Sequence, residues 1–296
     1  MVTPGKLFNE IKWATRQRLQ YIEILAFYTG VVTRSDVARA FGISDAAATK
    51  DLNFYGQIAP ENLSYKQSVF GFVPTDAFLP VFADLSPAAV LPLIARNQAV
   101  AGGPYGDTSI YSLSVDALPL PKRYPEPSVL AQIIRAMHGK RKLRATYRSL
   151  SDRDSDEERI LEPHALVDTG LRWHIRAYSE ETYDFRDFVL SRFTAAQCLD
   201  EMAESSAQYD DDWEEIVTLK LSPHPELAQT KRASLLLDYG SQGETIEIEV
   251  RRALIAYLLQ RLSVDTTQDH SLNQSKHQLV VINRDEIEPF AGWAFD

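Results

Sequence analysis

The sequence of 296 residues lacks several features that would place it in a specialised class of protein. Its one cysteine, Cys198, cannot form an internal disulfide, so a reducing compartment is expected. Its longest apolar runs, such as residues 77–83, are far shorter than the roughly 18 residues that a membrane helix needs. Residues 1–10 lack the apolar stretch of a signal peptide. These absences predict a cytoplasmic protein without a membrane segment.

Catalytic and metal-binding motifs are also missing. The glycine-rich segment 102–106 lacks the Lys-Ser/Thr that follows in a phosphate-binding loop. The six histidines show no metal-ligand spacing. The acidic run Asp210–Asp212 could chelate Mg²⁺, but a solvated acidic linker is the simpler interpretation. We therefore predict that the protein is not an enzyme and needs no cofactor or metal.

The chain has fewer basic than acidic residues, 31 against 41, so its formal net charge is −10. The charge is unevenly distributed. Residues 122–148 carry eight Lys/Arg and one acidic residue, whereas residues 201–296 carry eight Lys/Arg and eighteen acidic residues. Residues 1–70 are nearly balanced, with eight basic and six acidic residues. Contact with phosphate is expected in the first and middle regions, although a basic stretch can also be only a solvated surface.

The first 74 residues follow the pattern of three helices and a hairpin. Residues 14–29 have apolar positions at helical spacing and end at Gly30. Thr33-Arg-Ser-Asp36 resembles a capping box that starts a short second helix, and Ser44 starts a third. Residues 63–74 are typical of a hairpin. This order predicts a winged helix-turn-helix, with Ala48, Leu52 and Tyr55 facing its core.

In a DNA-binding interpretation, the third helix enters the major groove and the hairpin contacts the backbone or minor groove. An inert packing unit with the same helices is the alternative. The candidate DNA-binding residues are Thr33, Arg34, Ser44, Asp45, Ala46, Thr49, Lys50, Asn53, Tyr65 and Lys66.

The middle of the chain changes to strand periodicity after a proline-rich linker near residues 120–127 and a helix over 128–138. Short alternating segments between 143 and 193 are joined by tight turns, including Asp168-Thr-Gly170, and predict a small β-barrel. Along 173–178, Trp173, Ile175 and Ala177 are expected on an apolar face, and His174, Arg176 and Tyr178 on a polar one. Arginines with histidine and aromatics suit a phosphate-bearing or nucleobase ligand. Ion pairing of Arg186 and Arg192 with Asp187 or with the acidic run 152–158 is the alternative.

These features together resemble the WYL-domain transcriptional regulators. Trp173-His174-Ile175 stands where that family has Trp-Tyr-Leu, and Phe185–Arg192 follows its pattern. The chain is similar to repressors encoded beside anti-phage defence systems of the BREX and CBASS type. The resemblance implies a nucleotide or nucleic-acid-like effector in an Sm-like barrel and a C-terminal domain that dimerises. The implied ligand-binding residues, with Ser149 added from its predicted strand, are Ser149, His164, Trp173, His174, Arg176, Arg186, Asp187, Phe188 and Arg192.

The sequence therefore predicts an α+β multidomain protein. Its parts are a winged helix-turn-helix (1–80), a helical and proline-rich connector (81–127), a WYL domain with an Sm-like small β-barrel (128–205) and a small α+β C-terminal domain (210–296). We expect a homodimeric repressor that binds an inverted-repeat operator of double-stranded DNA, controls a phage-defence operon and is released by its effector. A single-strand sensor or adaptor without duplex specificity, and a transcriptional activator, are the alternatives.

Overall fold

The computed structural model describes residues 11–101, 116, 118–121, 123–150 and 156–295. The chain divides into two compact units, Met1–Pro119 and Leu120–Asp296. The glycine-rich segment 102–106 and most of the acidic run 152–158 lie outside the described residues. No helix in the described ranges is long and apolar enough to cross a membrane.

Three helices form the centre of the first unit, as the sequence predicts. They are α1 (Trp13–Thr29), α2 (Arg34–Phe41) and α3 (Asp45–Ile58). Thr33 and Asp36 form a complete capping box at the start of α2, and Gly42 ends it with a φ of 61°. The predicted inward face of α3 is confirmed, because Ala48, Leu52 and Tyr55 are buried in one core with Leu19 and Ile22 of α1.

A two-stranded antiparallel wing follows, built from β1 (Leu63–Lys66) and β2 (Gly71–Pro74). Phe72 and Val32 exchange two backbone hydrogen bonds of 2.9 Å, which tie the wing to the residues before α2. A Cβ on Gly71 would lie 2.8 Å from Cγ2 of Val31, so this close approach requires glycine. The wing is therefore fixed to the start of the helix-turn-helix.

The connector after the wing is held by a buried carboxylate of α1. Glu23 is fully buried, and its oxygens accept hydrogen bonds from the backbone N–H groups of Val81, Phe82 and Ala83 at 2.7–2.8 Å. The Tyr55 hydroxyl donates a further bond to it at 3.0 Å. The next helix, α4 (Pro87–Ala101), continues through Pro92.

The second unit begins with α5 (Pro127–Gly139), which packs on a five-stranded antiparallel sheet. The strand order is β6-β5-β4-β3-β7. The strands are β3 (Arg141–Arg148), β4 (Asp156–Asp168), β5 (Trp173–Ser179), β6 (Asp184–Val189) and β7 (Phe193–Met202). Gly170 turns the chain between β4 and β5 with a φ of 74°, as predicted. Strand β7 was not predicted, because its Thr-Ala-Ala-Gln-Cys run lacks an alternating pattern and is defined by pairing with β3.

The predicted Sm-like barrel is not established by this pairing. Among the described strands, the edges β6 and β7 are not paired with each other, so the sheet is open. A 3₁₀ turn, Leu190–Arg192, connects these two edges. The sheet and α5 bury a core that includes Ile133, Leu143 and Ile175. Cys198 packs against this core, as expected of a small packing residue.

The C-terminal part is a mixed helix and sheet unit, as predicted, with the strand order β10-β8-β9. Two helices, α7 and α9, were not predicted from the sequence. The elements after the five-stranded sheet are α6 (Asp211–Glu214), β8 (Ile216–Pro223), α7 (Gln229–Asp238), β9 (Ile246–Arg251), α8 (Ile255–Arg261), β10 (Leu279–Val281) and α9 (Arg284–Ala291). Their core contains Leu219, Leu221, Ile255, Leu259 and Leu279, all almost fully buried.

Candidate nucleic-acid interface and effector pocket

The outer face of the first unit has a concavity between α2, α3 and the wing. Its volume is about 400 Å³. Five of the ten candidate DNA-binding residues line it, whereas Ser44, Asp45, Ala46, Lys50 and Lys66 do not. The residues that line it are Thr33, Arg34, Ser35, Thr49, Leu52, Asn53, Tyr65, Phe70 and Phe72.

Several polar groups at this face have local partners. Ser44 caps α3 by accepting from the Ala47 N–H, and the Thr49 hydroxyl donates to the Asp45 carbonyl at 2.8 Å. Arg34 lies 3.7 Å from Asp45 in a pair whose side chains are both more than half exposed, so water weakens it. Asn53 is exposed on α3. Asn53 is therefore the amide best placed to contact a base edge.

The wing adds an aromatic residue that the sequence analysis missed. Phe70 lies at the turn between β1 and β2 with a φ of 49° and is 72% exposed. Tyr65 is also exposed, and its ring packs edge-on against Phe72 at 5.4 Å. Phe70 follows Ser68-Val69 within the segment that was predicted to form a hairpin. Its position near the middle of that segment was the signal that could have identified it.

In the second unit, Arg176 forms ion pairs with carboxylates. This buried side chain forms two hydrogen bonds with Asp210, Nε–Oδ2 at 2.8 Å and Nη2–Oδ1 at 2.9 Å. Asp187, opposite it on β6, lies 3.6 Å away. Asp210 is only 2% exposed, so the expected solvated acidic linker is wrong at this residue. Burial opposes the ionisation of Asp210, but hydrogen bonds from Arg176 and His164 outweigh it and lower its pKa to about 2.

His164 reaches Asp210 because of a β-bulge. Pro163 is opposite Ala177, whereas Ala165 is opposite Arg176, so His164 is the extra residue in β4. Its Nε2 lies 3.0 Å from Asp210 Oδ2. The ring of Trp213, in α6, packs edge-on against it at 5.6 Å. The bulge thus directs the histidine towards the segment that leads into the C-terminal part.

The remaining predicted ligand residues are dispersed. Phe188 is buried in the core against Tyr147, and Arg186 is exposed, 4.0 Å from Asp184. Trp173 begins β5 and is 36% exposed. Ser149 follows β3 and is partly exposed. The structure therefore brings together His164, Arg176 and Asp187 of the predicted set, with Asp210 as a partner that the sequence did not suggest.

A second polar centre surrounds His174. This residue is 1% exposed, and neither ring nitrogen has a hydrogen-bond partner among the described residues. Its ring stacks on Tyr257 of α8 with a centroid distance of 4.9 Å. Burial, together with the positive charges of Arg172, Arg192 and Arg123, lowers its pKa to about 4. His174 is therefore neutral at physiological pH.

The buried neutral His174 makes stability depend on pH. Unfolded histidine takes up a proton near pH 6.5, but the folded protein does not until about pH 4. The free energy of unfolding should therefore fall by about 1.4 kcal/mol per pH unit as the pH decreases through this window. Urea titrations from pH 7 to pH 4.5 should show this slope in wild type and its loss in His174→Phe. The exposed His138→Gln should keep it, and an unchanged slope in His174→Phe would contradict the assignment.

Among the described residues, no group of three or more His, Cys, Asp or Glu side chains is placed to hold a metal ion.

Three family models match successive parts of the chain. Residues 14–96 match the winged helix-turn-helix domain of the BrxR transcriptional regulator, and residues 128–198 match the WYL domain. Residues 216–287 match the C-terminal dimerization domain of the BrxR transcriptional regulator. The fold and these matches define a regulator with a winged helix-turn-helix, a WYL domain and a dimerization domain.

Relatives match over nearly the whole length. The DNA-binding transcriptional repressor CapW of Pseudomonas aeruginosa is 32% identical over 94% of this chain and 92% of its own. CapW of Escherichia coli strain KTE188 is 33% identical over 93% and 91%, and CapW of Stenotrophomonas maltophilia is 29% identical over 95% and 93%. The chain therefore belongs to the BrxR/CapW family of DNA-binding transcriptional repressors. The solved structure of PafBC from Arthrobacter aurescens is 18% identical, covers 95% of this chain and 48% of its own, and has a TM-score of 0.25.

Proposed function

We propose that the protein is a homodimeric repressor that binds an inverted-repeat operator upstream of its own gene and controls a phage-defence operon. Membership of a family of DNA-binding repressors, together with the exposed Asn53 above the wing concavity, carries the proposal. Two α3 helices related by a dimer axis would enter successive major grooves, so the dimer would set the half-site spacing. The match to a dimerization domain supports the two-fold arrangement.

The candidate DNA contacts divide by chemistry. Asn53 and Thr49 suit base edges, and Lys50, Arg34 and Lys66 suit phosphates. The hydroxyl of Thr49 still has acceptor capacity after donating to Asp45. Asp45 and Ala46 lie at the first turn of α3, close to where a recognition helix meets the duplex.

The WYL sheet is the proposed effector-binding part. Its strand order places the last strand beside the first of a four-strand meander, which is compatible with an Sm-like barrel. An effector bound there would change the placement of the DNA-binding domains and release the operator; couplings of about 1–3 kcal/mol are typical of such responses. We keep the division 1–80, 81–127, 128–205 and 210–296 as the proposed domain bounds.

Binding to the DNA upstream of the protein's own gene tests the repressor. Anisotropy or gel-shift titrations at fixed salt, with a scrambled duplex as competitor, should show specific binding and two-fold symmetric protection. Binding no tighter than to the scrambled duplex, with steep salt dependence on single strands, would support the sensor alternative. A reporter that rises when the protein is present would indicate an activator.

Asn53→Ala should weaken specific operator binding by about 1–3 kcal/mol, because a bidentate base contact would be lost. Binding to the scrambled duplex should stay the same. Gln242→Ala, which removes an exposed amide in the second unit, is the matched control. Equal operator affinity in Asn53→Ala and wild type would contradict the assignment of Asn53 as a base-reading residue.

A further inference from the structure

Three arginines lie close to His174, and none of them has an acidic partner among the described residues. Arg123 precedes α5, Arg172 lies in the turn between β4 and β5, and Arg192 ends the 3₁₀ turn after β6. Within the described part of the chain, none of the three forms an ion pair. Burial and the charges of Arg123 and Arg192 lower the pKa of Arg172, so the three cations repel one another. Such uncompensated positive charge is typical of a site that binds an anion.

A small cavity opens beside this cluster, and Arg123 and Arg172 line it, whereas Arg192 and His174 do not. Its volume is about 160 Å³, and its walls come from both parts of the second unit. Whole small-molecule ligands usually occupy about 300–1,000 Å³, so this cavity suits one anionic group of a ligand. The lining residues are Arg123, Thr169, Leu171, Arg172, Tyr257 and Gln260.

His174 supplies an independent sign of a missing ligand. Buried polar groups nearly always have hydrogen-bond partners, yet both ring nitrogens of this buried histidine have none among the described residues. Its ring stacks on Tyr257, which itself lines the cavity. A neutral imidazole carries one N–H donor, which suits an oxyanion.

We propose that Arg123 and Arg172, with Arg192 and His174 beside them, form a binding site for a phosphate group, such as the terminal phosphate of a nucleotide or oligonucleotide. The inference rests on the effector pocket proposed above. It places the bound anion at Arg123 and Arg172 and not at Arg176. Arg176 is already held by Asp210, whereas the three guanidinium groups form no ion pair with a described residue and can make the bidentate contacts that phosphate prefers. The remainder of the ligand would lie outside the small cavity.

The site also joins two parts of the fold. Tyr257 belongs to α8 of the C-terminal part, and its hydroxyl donates to Asp187 Oδ2 at 3.2 Å. Asp187 in turn faces Arg176 across the sheet. A phosphate at the arginines would therefore bind next to the contact between the WYL sheet and the dimerization domain.

Fluorescence anisotropy of the full chain tests the site with a thymidine trinucleotide labelled at its 3′ end. The 5′-phosphorylated probe should bind at least tenfold more tightly than the 5′-hydroxyl probe. Arg172→Gln and Arg123→Gln should each remove this preference, and Arg232→Gln, a partly exposed arginine of α7 outside the cluster, should keep it. Equal binding of the two probes, or an unchanged preference in Arg172→Gln, would overturn the proposal.

Competition with inorganic phosphate distinguishes two sources of the anion, free phosphate and the terminal phosphate of an oligonucleotide. Displacement of the probe by phosphate but not by sodium chloride of equal ionic strength supports the site, and equal displacement by both overturns it. Phosphate that binds as tightly as the probe identifies the free anion as ligand, and weaker binding identifies the terminal phosphate. Phosphate should also raise the Tm of wild type but not that of Arg172→Gln. A cooperative thermal transition of Arg172→Gln checks that this variant is folded.

Operator binding, measured without ligand in the same preparations, distinguishes failure of the proposed repressor function from failure of the proposed phosphate site. Loss of operator recognition with intact phosphate preference would defeat the repressor function and leave the site. Intact operator binding with no phosphate preference would defeat only the site.

Discussion

Replacing Asp210 by alanine should lower the free energy of unfolding of the second unit by about 3–5 kcal/mol. The loss is large because Arg176 would remain buried without the carboxylate that accepts its two hydrogen bonds. His164 would lose its partner as well, and the short helix α6 would lose the side chain that caps it through the Trp213 N–H. Urea unfolding, followed by tryptophan fluorescence, measures the change.

Asp212→Ala is the matched control, because this carboxylate is nearly half exposed and lies 3.9 Å from the same arginine. Exposed pairs contribute about 0–1 kcal/mol, so the control should unfold close to wild type. Asp210→Asn keeps the shape but replaces one acceptor by a donor that faces a guanidinium, and its loss should be intermediate. Equal stabilities of Asp210→Ala and Asp212→Ala would show that the buried pair does not stabilise the fold.

Glu23→Gln should cost the first unit about 2–4 kcal/mol, although it changes neither the size nor the shape of the side chain. Both carboxylate oxygens accept backbone hydrogen bonds, Oε1 from Val81 and Oε2 from Phe82 and Ala83. An amide has one oxygen, so its NH₂ group must face at least one of these N–H donors. Each buried donor left without an acceptor carries a desolvation cost of about 1–3 kcal/mol.

The exposed Glu61→Gln is the control in the same unit and should leave stability unchanged. Thermal unfolding gives the stability, and hydrogen exchange at residues 81–83 reports whether the connector has separated from α1. Normal protection of these amides in Glu23→Gln would contradict the role given to the carboxylate.

Much of the first unit could be predicted from local signals. Capping at Thr33 and Ser44, glycine stops and the spacing of Ala48, Leu52 and Tyr55 are all set within a few residues of chain. The buried Glu23 could not be predicted, because its acceptors serve backbone amides almost sixty residues away. Sequence periodicity contains no information on such distant hydrogen bonds.

The candidate effector pocket also combines residues that local patterns indicate with residues that only the tertiary fold brings in. The polar alternation of β5 singled out Arg176 and His174, but it did not indicate which of the two has a hydrogen-bond partner among the described residues. Asp210 appeared as one of several acidic residues in a linker, and only the tertiary fold pairs it with Arg176. Arg123 and Arg172 were missed because a cluster that combines a linker, a turn and a 3₁₀ segment has no common spacing in the sequence.

The contact of Asp210 with Arg176 also determines where the chain can be cut into exchangeable modules. The matches to the WYL and dimerization models end and begin at residues 198 and 216, which leaves Asp210 between them. Structurally it belongs to the WYL side, because its carboxylate serves residues of β4 and β5. A recombination event that joined a foreign dimerization domain before residue 210 would separate Arg176 from its counter-ion. Crossovers after Glu215 would preserve the pair of Asp210 with Arg176, but they would separate Asp212 and Glu215 from their partner Arg252.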